Sequence, residues 1–207
     1  MENLVLRGGA KSQSEGFNFT QTIRSVIVEM IDRLPELSHI DLDRVAIAFA
    51  QTRNRSRYGI HATLTPMRFK NGSKTTKKRG TIYKVQRLLN ASGHEMLYIL
   101  TFYLPRFMDV DFNEKLVTIL HELWHISPTF NGDIRRHPGR CYAHTHSQKE
   151  YDAQMQVFAD RWLETDPPAN VYRFLESNFD ELQSQFGPIY GTKIKTPKLI
   201  SVSGATA

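Results

Sequence analysis

The chain has 207 residues, 40% hydrophobic and 11% aromatic, which suits one soluble globular domain with a real core and excludes a low-complexity or fibrous chain. Its single cysteine, Cys141, excludes an internal disulfide and fits a reducing compartment. The net charge is +6 with a sequence pI near 9.5, which turns attention to anionic partners. No apolar run reaches the length of a membrane-spanning helix, and the N-terminus MENLVLRGGAKSQ has no apolar signal region, so no membrane is expected and the default location is cytoplasmic.

In chain order, residues 1–16 are polar and glycine-bearing and read as a flexible arm. A single domain is expected over 17–190. Ile23, Val26, Ile27, Met30, Ile31 and Leu34 fall on one helical face, which predicts a helix over 19–34 closed by Pro35. Residues 45–50 read as a short buried strand. A second strand is expected over 60–69, at a sheet edge or bulged at Pro66, because proline cannot donate to a ladder. Residues 71–80, NGSKTTKKRG, read as a loop by composition, and 83–89 fit a short strand or a helix. The run EMLYILTFYL over 95–104 is apolar on both faces, and is the strongest strand.

From Arg44 to His94 there is no Asp or Glu. The basic residues in that span include Arg53, Arg55, Arg57, Lys74, Lys77, Lys78 and Arg79, interleaved with Tyr58, Phe69 and Tyr83. Such asymmetry is the footprint of a surface that meets phosphates, and DNA bound through residues 53–87 is one expected partner. A solvated basic loop explains the same charges equally well.

Residues 112–126 read as a helix with Asp111 as N-cap and Glu114 three residues on, as in a capping box. Leu116, Ile119, Leu120 and Leu123 form its apolar stripe, and Ser127-Pro128 ends it. Beside the stripe stands His121-Glu122-Leu123-Trp124-His125, an H-E-x-x-H motif. Histidines at i and i+4 project from one helical face and can share one zinc ion. Glu122 points beside that line, where a carboxylate can take a proton from water.

A third ligand must come from elsewhere. Pro128 and Asn131 stand where a metzincin needs glycine and histidine, which excludes that class. Glu150 is accounted for as part of a Ser147-x-x-Glu150 capping box. His137, His144 and His146 remain. For a second donor to the developing oxyanion, Tyr142, Arg140, His144 and His146 lie in the right segment.

The run from HELWH through NGDIRRHPGRCY resembles the active-site segment of SprT-like (Spartan-type) zinc metalloproteases. It is closer still to phage and bacterial metallopeptidases that share the same minimal zincin core. The specific likeness covers about residues 95–142. It implies His121, His125 and His137 as ligands of one zinc ion and Glu122 as the base. Pro138 departs from the pattern, which keeps His144 and His146 open as alternatives. No C-terminal cysteine cluster for a zinc ribbon is present.

Beyond the motif, Ser147 is expected to cap a helix to about residue 164, with Tyr151, Met155, Phe158 and Trp162 on a core face. Asn170 is expected to cap a last helix to about residue 186, with Phe174, Leu175, Leu182 and Phe186 inward. Residues 191–207 read as a flexible tail.

The expectation is therefore an α+β, zincin-like domain: a three- to four-stranded sheet, the H-E-x-x-H helix across it, and flanking helices. The expected activity is zinc-dependent hydrolysis of a protein or peptide substrate. One alternative is a protease acting on nucleic-acid-bound proteins; another is a non-catalytic zinc- or nucleic-acid-binding protein.

Overall fold

The structure is a computed structural model that describes residues 4–5, 16–53, 55, 59–136 and 148–202. Its centre is a three-stranded sheet in the order β3 (Val45–Gln51), β8 (Tyr98–Leu104), β4 (Ala62–Pro66). β3 runs parallel to β8, and β4 runs antiparallel to it. β8 is central, which is why both its faces are apolar; β4 is an edge, as Pro66 required.

Alternation along these strands divides the core into two layers. Val45, Ile47, Phe49, Tyr98, Leu100, Phe102 and Leu104 face the helices. Ala46, Ala48 and Ile99 face the other way, onto Met67, Leu88 and Met96. On the helical side lie α1 (Phe19–Arg33), α2 (Phe112–Trp124) and α3 (Gln148–Glu164). Phe19 of α1 meets Phe49, Phe102 and Phe107 edge-on, with ring centroids 5.6–6.4 Å apart. In α3, Tyr151, Met155, Phe158 and Trp162 are buried, as their spacing predicted.

Three expectations need correction. Residues 71–80 are not all loop: β5 (Thr75–Lys78) and β6 (Thr81–Val85) form a hairpin. Its two-residue turn, Arg79-Gly80, has φ of 50° and 83°. Paired positive φ angles match the twist of a hairpin, so the register overrode a polar composition. The last helical region is split: α4 (Ala169–Tyr172) and a 3-10 turn (Arg173–Glu176) precede α5 (Phe179–Phe186). Asn178, not Asn170, is the cap, in a reciprocal capping box with Glu181, and Phe186 is substantially exposed. The 191–202 stretch is not a free tail. After β9 (Ile189–Tyr190), which pairs with β2 (Phe17–Asn18), the chain crosses behind the sheet and ends in β10 (Leu199–Ser201). β10 pairs antiparallel with β6, giving a second three-stranded sheet, β10-β6-β5. At the other terminus, β1 (Leu4–Val5) pairs with β7 (Leu88–Leu89). The fold is thus mixed α/β with several small sheets around the expected central one.

Lys115 is an unexpected core residue, 1% exposed. Its ammonium donates to the carbonyls of Leu175 and Ser177, both at 2.8 Å, at the end of the 3-10 turn. Burial pushes its pKa down to about 8. Among the described residues, no helix is long and apolar enough to cross a membrane.

Candidate metal centre

α2 starts where its cap predicted. The Asp111 carboxylate accepts the Glu114 N–H at 2.8 Å. The Glu114 side chain does not complete the box; it lies 3.6 Å from His61 on the neighbouring strand connection. Leu116, Ile119, Leu120 and Leu123 are buried against the sheet. That burial fixes the helix rotation and sets His121 and His125 beside the stripe, half-exposed. The helix proper ends at Trp124, and His125 is its C-cap, with helical angles and its N–H on the His121 carbonyl at 3.3 Å. The two imidazoles therefore stay on one face, ring centroids 4.7 Å apart.

Glu122 lies between α2 and the edge strand. Burial raises its pKa to about 7, and the Leu64 N–H, donating to its carboxylate, offsets part of that rise. A carboxyl group that titrates near neutrality is suited to taking and returning a proton. Leu64 belongs to the edge strand β4, opposite Leu100 of β8, so this contact sets the carboxylate against the sheet edge.

Tyr151 packs against both histidines. Its ring is 1% exposed and lies 4.7 Å from the His121 ring and 5.7 Å, stacked, from the His125 ring. The first turn of α3 thereby clamps both histidines. Nothing in the sequence separates Tyr151 from the ordinary core stripe of its helix.

After α2 the chain doubles back. Ile126 pairs with Ile134, and the Arg135 N–H donates to the His125 carbonyl at 2.7 Å. The Arg135 guanidinium lies 3.7 Å from the centre of the Trp124 ring and donates to the Trp124 carbonyl at 2.8 Å. Asp133 pins the turn. Its carboxylate accepts the N–H groups of Asn71 and Ile134, each at 2.8 Å, and two hydrogen bonds from Arg136. Burial pushes its pKa up, but Arg136 and the two backbone donors outweigh burial and hold it below the usual carboxylate range. The Tyr98 hydroxyl, from the central strand, donates to the Asp133 carbonyl at 2.8 Å and accepts the Gly132 N–H at 3.0 Å. Gly132 has φ 86°, and a Cβ there would meet Arg68 Cγ at 2.5 Å, so only glycine fits. Sequence reasoning missed Tyr98 and Asp133; the only signal was the turn-forming Asn131-Gly132-Asp133.

His137, Arg140, Tyr142, His144 and His146 lie outside the described residues, as does Cys141. Among the described residues, no group of three His, Cys, Asp or Glu side chains converges on one point. On either side of that segment, the Arg135 N–H bonds to the His125 carbonyl, and Tyr151 packs on both imidazoles. The pair His121 and His125 fits two neutral nitrogen ligands of a zinc ion, with a proton acceptor beside them.

The basic span is regrouped by the fold. Arg55 forms a bidentate pair with Asp180, and Arg68 and Arg87 both pair with Glu95. Arg53 is exposed, and Arg57 lies outside the described residues. Lys74, Lys77, Lys78 and Arg79 are exposed on or beside the β5–β6 hairpin.

No curated protein matches this chain, and no solved structure does. Residues 18–146, more than half of the chain and including α2 and its return turn, match the family described as "Putative phage metallopeptidase". The chain belongs to that family, whose description is that of a metal-dependent peptidase.

Proposed function

We propose that the protein is a zinc-dependent metallopeptidase of zincin type that hydrolyses peptide bonds, with Glu122 as general base and general acid. The observation that carries this reading is the juxtaposition of three groups: paired imidazoles 4.7 Å apart, the Glu122 carboxyl with a pKa near 7, and a sheet edge beside it. His121 and His125 would hold the metal with a third ligand from residues 137–147. The likeness to SprT-like proteases favours His137 there, with His144 or His146 as alternatives. Zinc, when bound, supplies a Lewis acid that polarises the peptide carbonyl and acidifies the attacking water. Glu122 takes the proton of that water and returns it to the leaving amine. The edge strand β4 holds an extended substrate backbone by strand addition. Tyr142 and Arg140 are the candidate donors to the developing oxyanion.

A purely structural zinc site is the less favoured reading, because it has no use for a carboxyl group placed beside the paired imidazoles and a strand edge. Elemental analysis of the purified protein tests the proposal, together with His137→Ala, His144→Ala and Glu122→Gln. The expected result is one zinc per chain, lost in His137→Ala and kept in the other two, with hydrolysis of unfolded protein substrates lost in Glu122→Gln. Absence of zinc in the zinc-supplemented wild type overturns it.

A further inference from the structure

We infer that the β10-β6-β5 sheet is a docking ribbon for duplex nucleic acid, built jointly by the basic hairpin and the C-terminal strand. Two segments without Asp or Glu, residues 74–87 and 188–202, come together on it. Gln86 and Lys198, 112 residues apart in sequence, are hydrogen-bonded neighbours there.

The register decides which side chains share a face. Thr75 pairs with Lys84 and Lys84 with Ile200, while Lys77 pairs with Ile82. Alternation then puts Lys77, Lys84 and, continuing the register past Leu199, Lys198 on one face, one lysine from each strand. The other face carries Val85, which packs on the back of the central sheet with Ile194. The lysine face is therefore the outward one. Lys195 is exposed on the approach to β10. Lys77 and Lys198 are exposed, and neither segment contains an Asp or Glu.

The shape favours a duplex over other polyanions. Among the described residues the C-terminal strand bonds to β6 from Ile82 to Gln86, and the hairpin tip from Lys78 to Thr81 projects past it as a two-stranded ribbon. Lys78, Arg79 and Gly80 at its tip are exposed, and a Cβ on Gly80 would meet nothing within 4 Å. A two-stranded β-ribbon fits the major groove of B-form DNA. Cations at its tip and along its outer face can follow the phosphates on either side. The outward face has no aromatic ring among these positions to stack on an unpaired base, so contact to the backbone is sequence-independent.

The test is fluorescence anisotropy with the full chain and a labelled duplex of about 20 bp in arbitrary sequence, between about 50 and 200 mM salt. Two variants are compared with wild type: Lys77→Gln/Lys84→Gln and Lys195→Gln/Lys198→Gln, with thermal melting to show that both fold. Each double variant is expected to bind on the order of tenfold more weakly, with the salt slope lower by about 2. No binding at low salt overturns the inference. Loss in the hairpin variant with no loss in the C-terminal variant overturns the joint surface. Equal competition by poly-glutamate or by vesicles containing phosphatidylserine overturns the choice of nucleic acid. The readout needs neither metal nor peptidase activity, so its failure and that of the peptidase reading are separate results.

Discussion

The two three-stranded sheets of this protein obey opposite rules. The central sheet, β3-β8-β4, is packed on both faces, and most side chains of β3 and β8 are buried. The outer sheet, β10-β6-β5, leaves Lys77 and Lys78 exposed and touches the core mainly through Val85. In the first, position is dictated by burial: a one-residue slip would move Leu100 and Phe102 out of the helical core and Ile99 into it. In the second, burial dictates little, and the Arg79-Gly80 turn sets the register. A site whose groups must hold fixed distances belongs on the first kind of sheet. A surface that meets a repeating charge tolerates the second kind.

Chemistry should separate the two regions most sharply. Glu122→Gln is expected to lower peptidase activity by about 10²- to 10⁴-fold, the usual contribution of a general acid–base group, with no fall in melting temperature. A steady-state assay beside a thermal melt checks this, and an active Glu122→Gln protein would remove Glu122 from the mechanism. Core packing comes next. Phe102→Ala in the central strand is expected to cost about 3–5 kcal/mol in denaturant unfolding, because the ring is fully buried among Phe19 and Phe107.

The clamp on the return turn gives intermediate effects. Tyr98→Phe leaves the Gly132 N–H without its buried acceptor and is expected to cost about 1–3 kcal/mol. If it also lowers zinc content, the turn positions the ligand-bearing segment; if stability falls and zinc does not, the turn is structural only. Asp133 adds a pH dependence. Its folded pKa is depressed, so the unfolded chain binds protons more readily as pH falls. Its stabilisation is therefore present above the ordinary carboxylate range of about 4 and is lost as pH drops below it. In Asp133→Asn the acid-side decline in melting temperature should be shallower than in wild type. The smallest effect belongs to the outer sheet. Ile82→Ala, at a position 46% exposed, should change stability by no more than about 0.5 kcal/mol. A larger loss would mean that the hairpin is a packed part of the core, and the contrast between the sheets would fail.

The elements most legible in the sequence are those with one buried face. α1, α2, α3, β3 and β8 carry strong periodicity, and their capping and breaking residues lie within a few positions of the observed ends. The H-E-x-x-H motif was legible for the same reason: a helix with a defined apolar stripe fixes where the neighbouring positions point. β5 and β10 were not legible because neither buries a face, so composition read one as loop and the other as tail. Asn178 was passed over for Asn170 because both suit an N-cap, and only the tertiary path placed Phe174 and Leu175 in the core before α5 began.

By itself the sequence determined the motif, the helix that carries it, the acid-free basic span and the strands with one or both faces apolar. Each of these is a local property, set by spacing and side-chain type. Only the tertiary structure decided what surrounds them. It brought Tyr151 onto both imidazoles, tied the return turn to Tyr98 and Asn71 through Gly132 and Asp133, and set Leu64 against Glu122. It also removed Arg55, Arg68 and Arg87 from the basic surface by ion pairing, and added Lys195 and Lys198. Contacts between residues far apart along the chain leave no periodic trace in it, because either partner alone looks like an ordinary core or surface residue.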